Sequence, residues 1–346
     1  MKIIINNMAA TSGGGLSILK GFYEYLIKSK EAKNHEWVFL LNDNYIKETK
    51  NIKVIVFKKN WIRRLKFDYI SGKKIIKKFN PDVVFSMQNT ITYGLDVRQV
   101  VYMHQSIPFQ KTKKFSFFKA NERKLAVYQH IIGSLIIKSL KKADKIIVQT
   151  KWIKEAIVHK AGISSLKIEN ILPPMQKSVQ LLQRSSFNKE KFFYPASKIS
   201  YKNHSCIYEA AAILNNDGIT NFSVDLTIKE NKEVKNINFL GALSFEEVLE
   251  NYKNSTLIFP SLIETVGLPL IEAKQLGIII LAADCEYARE ILSGYKNAYY
   301  FNPYKPKELA KLIDKVIKGE IKKHNIEVNF NDEINTWSEV VDILIK

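Results

Sequence analysis

Two glutamates separated by seven residues, Glu264 and Glu272, could bind a polar ligand together. An apolar run ends at Pro260, a short loop follows, and a helical pattern begins at Gly267. Glu264 therefore precedes the predicted helix, and Glu272 lies about one turn inside it. A carboxylate inside the helix can accept two hydrogen bonds from a ribose diol, whereas Glu264 lies nearer to any group that a bound phosphate carries. The alternative is an ordinary strand–helix unit with two surface glutamates.

The start of this predicted helix suits a phosphate group. Pro269 fits the first helical turn, because the N–H that it lacks would have no partner there. The backbone N–H groups of Thr265, Val266, Gly267 and Leu268 lie where the helix dipole favours negative charge. These four residues are therefore candidate ligands of a phosphate.

A second segment places a lysine between a predicted strand and a predicted helix. The strand Phe192–Ala196 is followed by Ser197 and Lys198, and Lys202 stands just before a helical pattern that begins at His204. A leaving group that carries phosphate needs positive charge nearby, and Lys202 can supply it. The alternative is a solvated surface lysine.

Three features of the first half follow predicted strands. Thr11–Gly15 contains the pair Gly14 and Gly15, and glycines let a backbone approach phosphate or sugar closely. His104 and Thr150 each end an apolar run. A flexible turn and a structural histidine are the alternatives for the first two.

The segment from Pro260 to Ala273 resembles the E-x7-E motif of the large retaining glycosyltransferase family with two Rossmann-like lobes, the GT-B fold of family 4 type. Every position of the pattern P-S-x-x-E-[ST]-x-G-L-x-x-x-E-A is matched. The resemblance implies that Glu272 binds the ribose hydroxyls of a nucleotide-diphosphate sugar and that Glu264 contacts the donor sugar. It also implies that amides near Gly267 hold the diphosphate.

The same resemblance extends to the other candidates. The family often has G-R-x-x-x-x-K-[GN] in the second lobe, where Lys202 matches the lysine and Ser197 replaces the arginine. Gly14 and Gly15 match a glycine pair near the diphosphate and the acceptor. His104 matches a histidine that reaches the donor sugar. With the first glutamate of the motif, Lys202 and His104 are the expected catalytic residues.

Metal and covalent chemistry find little support in the sequence. It has no D-x-D pair, no H-E-x-x-H spacing and no G-x-S-x-G nucleophile motif. Its two cysteines, Cys206 and Cys285, cannot form a disulfide framework or a cysteine-rich zinc site. The resemblance therefore implies a metal-independent transfer without a cofactor, in which Lys202 and the helix amides stabilise the leaving diphosphate.

Short apolar runs alternate with helical patterns along the chain, which predicts an α/β fold with parallel, doubly wound sheets. The predicted strands are Lys2–Asn6, Trp37–Asn42, Val54–Phe57, Val83–Met87, Val100–His104, Lys145–Thr150, Phe192–Ala196, Phe222–Ile228, Ile237–Leu240, Thr256–Pro260 and Ile278–Ala282. The predicted helices include Leu16–Lys28, Tyr69–Phe79, His204–Asn215, Phe245–Lys253, Gly267–Leu276, Tyr287–Ser293 and Pro306–Lys318. We expect two Rossmann-like lobes facing a central cleft.

Two prolines, Pro173 and Pro174, predict the boundary between the lobes. A length of 346 residues agrees with two domains of roughly 100–200 residues each. By the resemblance, residues 1–172 form the lobe that binds the acceptor, and residues 173–330 form the lobe that binds the nucleotide sugar. A last helix within 331–346, carrying Trp337, is expected to pack back on the first lobe.

The net charge of +19 is distributed unevenly. Residues 1–172 carry 32 basic and 12 acidic side chains, whereas residues 173–346 carry 21 and 22. Two segments, Lys58–Lys78 and Lys111–Lys119, combine basic with aromatic residues, which favours contact with an anionic membrane surface. The aromatic residues in them are Trp61, Phe67, Tyr69, Phe115, Phe117 and Phe118. Specific nucleic-acid binding is not expected, because no zinc-finger, RNP or basic-zipper pattern is present.

The resemblance thus implies a retaining glycosyltransferase that moves a sugar from a nucleotide-diphosphate sugar to a hydroxyl of a growing glycan, and together with the basic first half it implies a glycan of O-antigen, lipopolysaccharide or capsule type. The acceptor would be linked to a lipid such as undecaprenyl diphosphate. No membrane-spanning run or signal-peptide core is evident, so we expect a cytoplasmic protein, peripheral on the inner face of the membrane. Two alternatives stay open: a nucleotide-sugar epimerase or phosphorylase, and a non-enzymatic polybasic protein that binds membranes or nucleic acid.

Overall fold

The structure, a computed structural model, describes residues 1–11, 13–58, 61–173, 187–230, 233–325 and 336–346. It divides into two compact units, one of Met1–Pro174 with Glu333–Lys346 and one of Met175–Asp332. Some predicted features lie outside the described residues. They are Ser12 of the glycine loop, residues 59 and 60 of the first basic segment, Pro174 at the predicted boundary and the start of the predicted last helix.

Within the described residues, the first unit contains a seven-stranded parallel sheet in the order β3-β2-β1-β4-β5-β6-β7. Its strands are β1 (Lys2–Asn7), β2 (Glu36–Leu41), β3 (Ile52–Val56), β4 (Val83–Ser86), β5 (Arg98–Tyr102), β6 (Lys145–Val148) and β7 (Ile168–Asn170). Its helices are α1 (Gly13–Lys28), α2 (Trp61–Lys66), α3 (Gly72–Lys77), α4 (Arg123–Ala126), α5 (Gly133–Lys142), α6 (Lys151–Ala161) and α12 (Thr336–Ile345). A π-helical turn, Phe67–Ser71, joins α2 to α3, and another, Val127–Ile132, joins α4 to α5.

The last helix, α12, completes the core on one face of this sheet. Trp337 is 4% exposed and packs with Phe22 of α1 and Tyr102 of β5, at ring-centroid distances of 5.0 and 6.1 Å. Arg98 of β5 donates a hydrogen bond from Nη1 to the carbonyl of Leu344 at 3.3 Å. The end of the chain is therefore an integral part of the unit in which the chain begins.

The opposite face carries α3, which lies within the first basic segment, together with α5 and α6. Phe67 and α3 pack against β1, β2 and β4, and α5 and α6 pack against β5 and β6. Val84 of β4 pairs with Gln99 of β5, and Val101 lies two residues after Gln99 on the same strand. Val84 and Val101 therefore point to this same face. Phe67 and Phe115 are 0% and 3% exposed. The interpretation of these two aromatic residues as part of a basic, aromatic surface is therefore wrong, because they belong to the core.

Within the described residues, the second unit contains a six-stranded parallel sheet in the order β10-β9-β8-β11-β12-β13. Its strands are β8 (Lys191–Tyr194), β9 (Ser223–Leu226), β10 (Ile237–Phe239), β11 (Thr256–Phe259), β12 (Ile280–Ala283) and β13 (Ala298–Phe301). Its helices are α7 (His204–Asn216), α8 (Phe245–Lys253), α9 (Leu268–Gln275), α10 (Glu286–Ile291) and α11 (Pro306–Lys318). Local signals explain the helix ends: Ser244 forms a capping box with Glu247 before α8, and Gly319 ends α11 at a φ of 76°.

The predicted fold class is confirmed, since both units are parallel α/β sheets covered by helices. The sequence analysis did not predict β7, β13 or the helices α2 and α4 to α6. β7 has only three residues, too few for a visible alternation, and three of the four residues of β13 are partly exposed. Among the described residues, no helix combines the length and the apolar character that crossing a membrane requires.

Candidate active site

The expected donor-site residues lie where the strand order of the second sheet reverses. β8 has β9 on one side and β11 on the other, so the loops that follow β8 and β11 leave the carboxyl edge as neighbours. Ligands of open α/β sheets bind at such a switch point. The loop after β8 contains Ser197 and leads to Lys202, and the loop after β11 contains Glu264.

Backbone and side-chain hydrogen bonds tie these two loops together. The N–H of Leu262 donates to the carbonyl of Tyr201 at 2.8 Å, and the hydroxyl of Tyr194 donates to the carbonyl of Lys202 at 2.9 Å. Asn203 has a φ of 57° and donates from Nδ2 to the carbonyls of Pro260 and Pro303, at 3.3 and 2.9 Å. The position of Lys202 is therefore set by the loop after β11 as well as by its own strand.

Lys202 and Glu264 form an ion pair in this setting. Lys202 Nζ donates to Glu264 Oε1 at 2.5 Å, and the two side chains are 17% and 15% exposed. Such a shielded pair holds each charge in place, and removing one partner leaves the other uncompensated. The structure thus brings together two of the three predicted catalytic residues.

Glu272 lies in α9 and is bound by a residue that the sequence analysis missed. Tyr252, a fully buried residue of α8, donates its hydroxyl to Glu272 Oε2 at 3.0 Å. Burial raises the pKa of Glu272 from 4.5 to about 7, and the bond from Tyr252 opposes this rise. A carboxyl group with this pKa changes its charge near neutral pH, and an incoming diol would favour the ionised form. Tyr252 and Glu272 lie twenty positions apart, so no local sequence pattern reveals this contact.

The start of α9 has a left-handed corner at Gly267. Gly267 has a φ of 77°, and a Cβ there would lie 3.3 Å from Leu270 Cδ1 and 3.4 Å from the Phe259 ring. Only glycine therefore fits this corner without strain. Thr265 and Leu268, on either side of it, are partly exposed.

The family pattern has an arginine and a lysine in this loop, and Ser197 stands at the arginine position. Ser197 is exposed and lies in the loop after β8. Lys198, the cation beside it, is 64% exposed and pairs with Glu230 at 2.8 Å. Val266 is 3% exposed, so its side chain belongs to the core. Its backbone N–H is the part that the phosphate prediction concerns.

The glycine pair of the first unit lies at the start of α1. Gly13 has a φ of 61° and precedes Gly14 and Gly15 in the first turn. Gly13 and Gly14 are exposed. This turn follows β1, at the carboxyl edge of the first sheet, where the strand order also reverses, between β1 and β4.

His104 lies two residues beyond the end of β5 at the same edge of the first sheet. Its backbone N–H donates to Asn89 Oδ1 at 2.6 Å, and its ring lies 4.7 Å from the Tyr102 ring. Burial lowers the pKa of His104 to about 4, so the imidazole is neutral at physiological pH. A neutral imidazole can still exchange a hydrogen bond with a sugar hydroxyl. Thr150 is fully buried and forms the N-cap of α6.

Metal ligands do not cluster in the part of the chain that the structure describes. No three side chains of histidine, cysteine, aspartate or glutamate come together there in a group that could hold an ion.

Comparison with known proteins finds a family match in the second unit. Residues 183–331 match the family described as "Glycosyl transferases group 1". The serotype-specific mannosyltransferase WbdA of Escherichia coli is 33% identical over 114 residues, which cover 32% of this chain and 14% of that protein. The chain therefore matches only a small part of this relative.

Solved structures resemble the chain over its whole length. WaaG, a glycosyltransferase involved in lipopolysaccharide biosynthesis, has a TM-score of 0.73 at 15% identity, with 99% of each chain covered. HepE of Anabaena in complex with UDP-glucose has a TM-score of 0.70 at 15% identity, with 100% of this chain and 99% of that chain covered. The chain thus has the GT-B fold of two parallel-sheet α/β domains, and the part of it that matches the group 1 glycosyl transferases lies in the second unit.

Proposed function

We propose that the protein is a retaining glycosyltransferase that moves a sugar from a nucleotide-diphosphate sugar to a hydroxyl of a lipid-linked surface glycan of O-antigen or capsule type. The observation that carries this proposal is the Lys202–Glu264 pair at the switch point of the second sheet. Glu272 and the start of α9 belong to the same strand–helix unit. The names of the relatives, a serotype-specific mannosyltransferase and a glycosyltransferase of lipopolysaccharide biosynthesis, support the class of product.

In this proposal each residue of the second unit has a separate task. Glu272 accepts hydrogen bonds from the ribose diol, and the amides from Thr265 to Leu268 bind the diphosphate. Lys202 neutralises charge as the bond between the sugar and the phosphate oxygen breaks. Glu264 holds the ammonium group of Lys202 in position and lies beside the donor sugar.

The sugar keeps its anomeric configuration if the acceptor hydroxyl attacks from the face that the diphosphate leaves. One carbon–oxygen bond to phosphate breaks, one carbon–oxygen bond to the acceptor forms, and the hydroxyl proton passes to the departing diphosphate. His104 and the glycines at the start of α1 belong to the unit proposed to bind the acceptor, and the neutral His104 ring would contact a hydroxyl of the donor sugar. Lys202 and the α9 amides would supply the charge stabilisation without a metal ion or cofactor.

The first experiment measures the binding of UDP, GDP, TDP, CDP and ADP by thermal shift without added metal. A ligand at about a hundred times its Kd adds roughly 2.7 kcal/mol to the stability of the folded protein, which shifts the melting temperature visibly. UDP-glucose and GDP-mannose then serve as donor probes, with and without a lipid-linked glycan fraction. Product that forms without acceptor would support an epimerase instead, and the absence of any shift would refute the donor site.

Lys202→Ala and Lys198→Ala form a matched pair of variants that tests which lysine binds the diphosphate. We expect Lys202→Ala to weaken binding of the nucleoside diphosphate by about tenfold or more, because it removes a shielded cation from the site. Lys198→Ala should change binding by less than about threefold, because its cation is exposed and engaged by Glu230. Equal losses in both variants would show that Lys198 replaces the missing arginine.

We further propose that the first unit docks on an anionic membrane surface from the cytoplasmic side. Lys58–Lys78 includes Phe67 and α3, which pack on one face of the first sheet. Lys111–Lys119 contacts the π-helical turn before α5 on the same face, because the side chain of Gln129 is hydrogen-bonded to the backbone of Lys113 and Phe115. Exposed apolar side chains accompany both segments. They are Ile62, Ile70, Phe117, Phe118 and Ile131, with exposures of 57%, 70%, 43%, 93% and 56%. Each basic residue near such a surface contributes about 1 kcal/mol, and the apolar side chains add burial in the interface.

Sedimentation with vesicles tests this docking surface. Binding to phosphatidylglycerol vesicles should fade at high salt, and Phe118→Ser should weaken it. Leu166→Ser is the matched control, because Leu166 is 84% exposed but lies outside both basic segments. Equal binding to phosphatidylcholine vesicles, or the same loss in both variants, would contradict the proposal.

A further inference from the structure

A buried carboxyl group joins the basic helices of the first unit to the switch point of its sheet. Asp68 is 0% exposed and lies in the π-helical turn between α2 and α3. Its oxygens accept hydrogen bonds from Gln88 Nε2 at 2.9 and 3.1 Å, from Thr90 Oγ1 at 2.7 Å and from Asn6 Nδ2 at 3.4 Å. Asn6 lies at the carboxyl end of β1, and Gln88 and Thr90 lie in the turn after β4; the strand order reverses between these two strands.

The segment held by Asp68 is the one that holds His104. Asn89 lies between Gln88 and Thr90, has a φ of 68°, and accepts the backbone N–H of His104 at 2.6 Å. Ser86 Oγ donates to the carbonyl of Thr90 at 2.5 Å, which closes the same turn. Asp68 thus fixes the residues on both sides of Asn89, and Asn89 fixes the backbone at His104.

The orientation of Gln88 depends on Asp68 in particular. Gln88 is 1% exposed, and both hydrogen bonds that its side chain makes among the described residues go to Asp68. Its other polar atom, Oε1, has no hydrogen-bond partner in the described part of the chain. Because buried polar groups are costly to leave unpaired, removing an acceptor oxygen at Asp68 would release Gln88 and with it the turn at Asn89.

We propose that Asp68 is a positioning residue for the active site, which holds His104 in place at the carboxyl edge of the first sheet through Gln88, Thr90 and Asn89. The relevance of this position to sugar transfer rests on the proposed function, in which His104 contacts the donor sugar. Asp68 itself lies in the π-helical turn between α2 and α3, so hydrogen bonds through Asp68, Gln88, Thr90 and Asn89 link the proposed membrane-facing surface to the His104 backbone.

The first test is amide hydrogen exchange at pH 8 in the full chain. In Asp68→Asn the amide of His104 should exchange about tenfold faster or more, since its acceptor Asn89 is no longer fixed. The amide of Met103, which donates to the carbonyl of Ile147 at 2.8 Å, should change by less than about threefold. Asp225→Asn is the matched control, because Asp225 is 4% exposed and bonds Asn238 in the other unit. Unchanged protection at His104 in Asp68→Asn, or the same change in Asp225→Asn, would overturn the proposal.

The second test is a double-mutant cycle on donor turnover with UDP-glucose and GDP-mannose as probes. Asp68→Asn should lower kcat about tenfold with an unchanged Kd for the nucleoside diphosphate, and should cause no further loss in a His104→Ala background. Additive losses would indicate a merely structural role and contradict positioning through His104. If the unaltered protein turned over no nucleotide sugar, the proposed function would fail, while the exchange experiment would still decide the role of Asp68.

Discussion

The pH dependence of nucleotide binding provides the sharpest test of the role of Glu272. Burial raises the pKa of this carboxyl group to about 7 in the free protein. If the ionised form accepts the ribose diol, binding must release the proton. With a pKa of about 7, the group is about nine-tenths ionised at pH 8 and about one-tenth at pH 6, so affinity should be about tenfold weaker at pH 6.

The assay is isothermal calorimetry at pH 6, 7 and 8 with whichever of UDP, GDP, TDP, CDP and ADP binds tightest. The ligand also titrates, because the second pKa of a terminal phosphate lies near 6. Glu272→Gln removes the carboxyl group and retains the contribution of the phosphate. The informative quantity is therefore the ratio of the two Kd values, variant over unaltered protein, which should rise about tenfold from pH 6 to pH 8.

Two further variants sharpen this measurement. Tyr252→Phe removes the hydrogen bond that favours the ionised carboxylate, so it should move the midpoint to higher pH. Glu250→Gln is the control, since Glu250 is 63% exposed and pairs with Lys253. A Kd ratio that stays constant from pH 6 to pH 8 would refute the assignment of Glu272 to the diol.

Three other predictions concern stability. Gly267 and Gly277 both have left-handed backbones, where an alanine causes a strain of about 1–2 kcal/mol, but of the two only Gly267 also has close neighbours. Gly267→Ala should therefore lower the free energy of unfolding by more than Gly277→Ala, and equal losses in urea denaturation would contradict this. Trp337→Ala should cost about 3–5 kcal/mol by the same measurement, since the ring is buried against Phe22; a loss below about 1 kcal/mol would show that α12 contributes little. Burial raises the pKa of Asp68 from 3.8 to about 7, which favours its protonated form, so the protein should lose stability as the pH rises from about 4 to 7. Asp68→Asn should not show this loss. If the free energy of unfolding, measured by urea denaturation from pH 4 to 7, fell equally in both proteins, the raised pKa would be contradicted.

The parts of the site that follow from local sequence were predictable. The strand, turn and helix around Gly267 and Pro269 are marked by residues adjacent in the chain, and β11 and α9 lie within two residues of their predicted bounds. The separation of Glu264 from Glu272 by seven residues is likewise local. The contact between Lys202 and Glu264 joins residues 62 positions apart, so spacing alone could not reveal it.

Other features depend on packing that no short pattern records. In the sequence, Tyr252 matches an ordinary buried position of an amphipathic helix. Only the structure shows that its hydroxyl donates a hydrogen bond to Glu272. Asp68 is one acidic residue in a basic segment, and its donors come from β1 and from the turn after β4. Phe67 and Phe115 were grouped with exposed aromatic residues because a basic environment in the sequence does not tell which side of a helix or loop faces the core.

The position of α12 has a consequence for the order in which the protein is made. A ribosome releases residues 1–174 well before Trp337, Val340, Val341 and Leu344, which belong to the same core. The core side chains that pack on α12, among them Phe22 and Tyr102, therefore stay uncovered while the whole second unit is synthesised and can fold as a domain of its own. Loss of residues 336–346 would thus damage the half of the protein that was translated first.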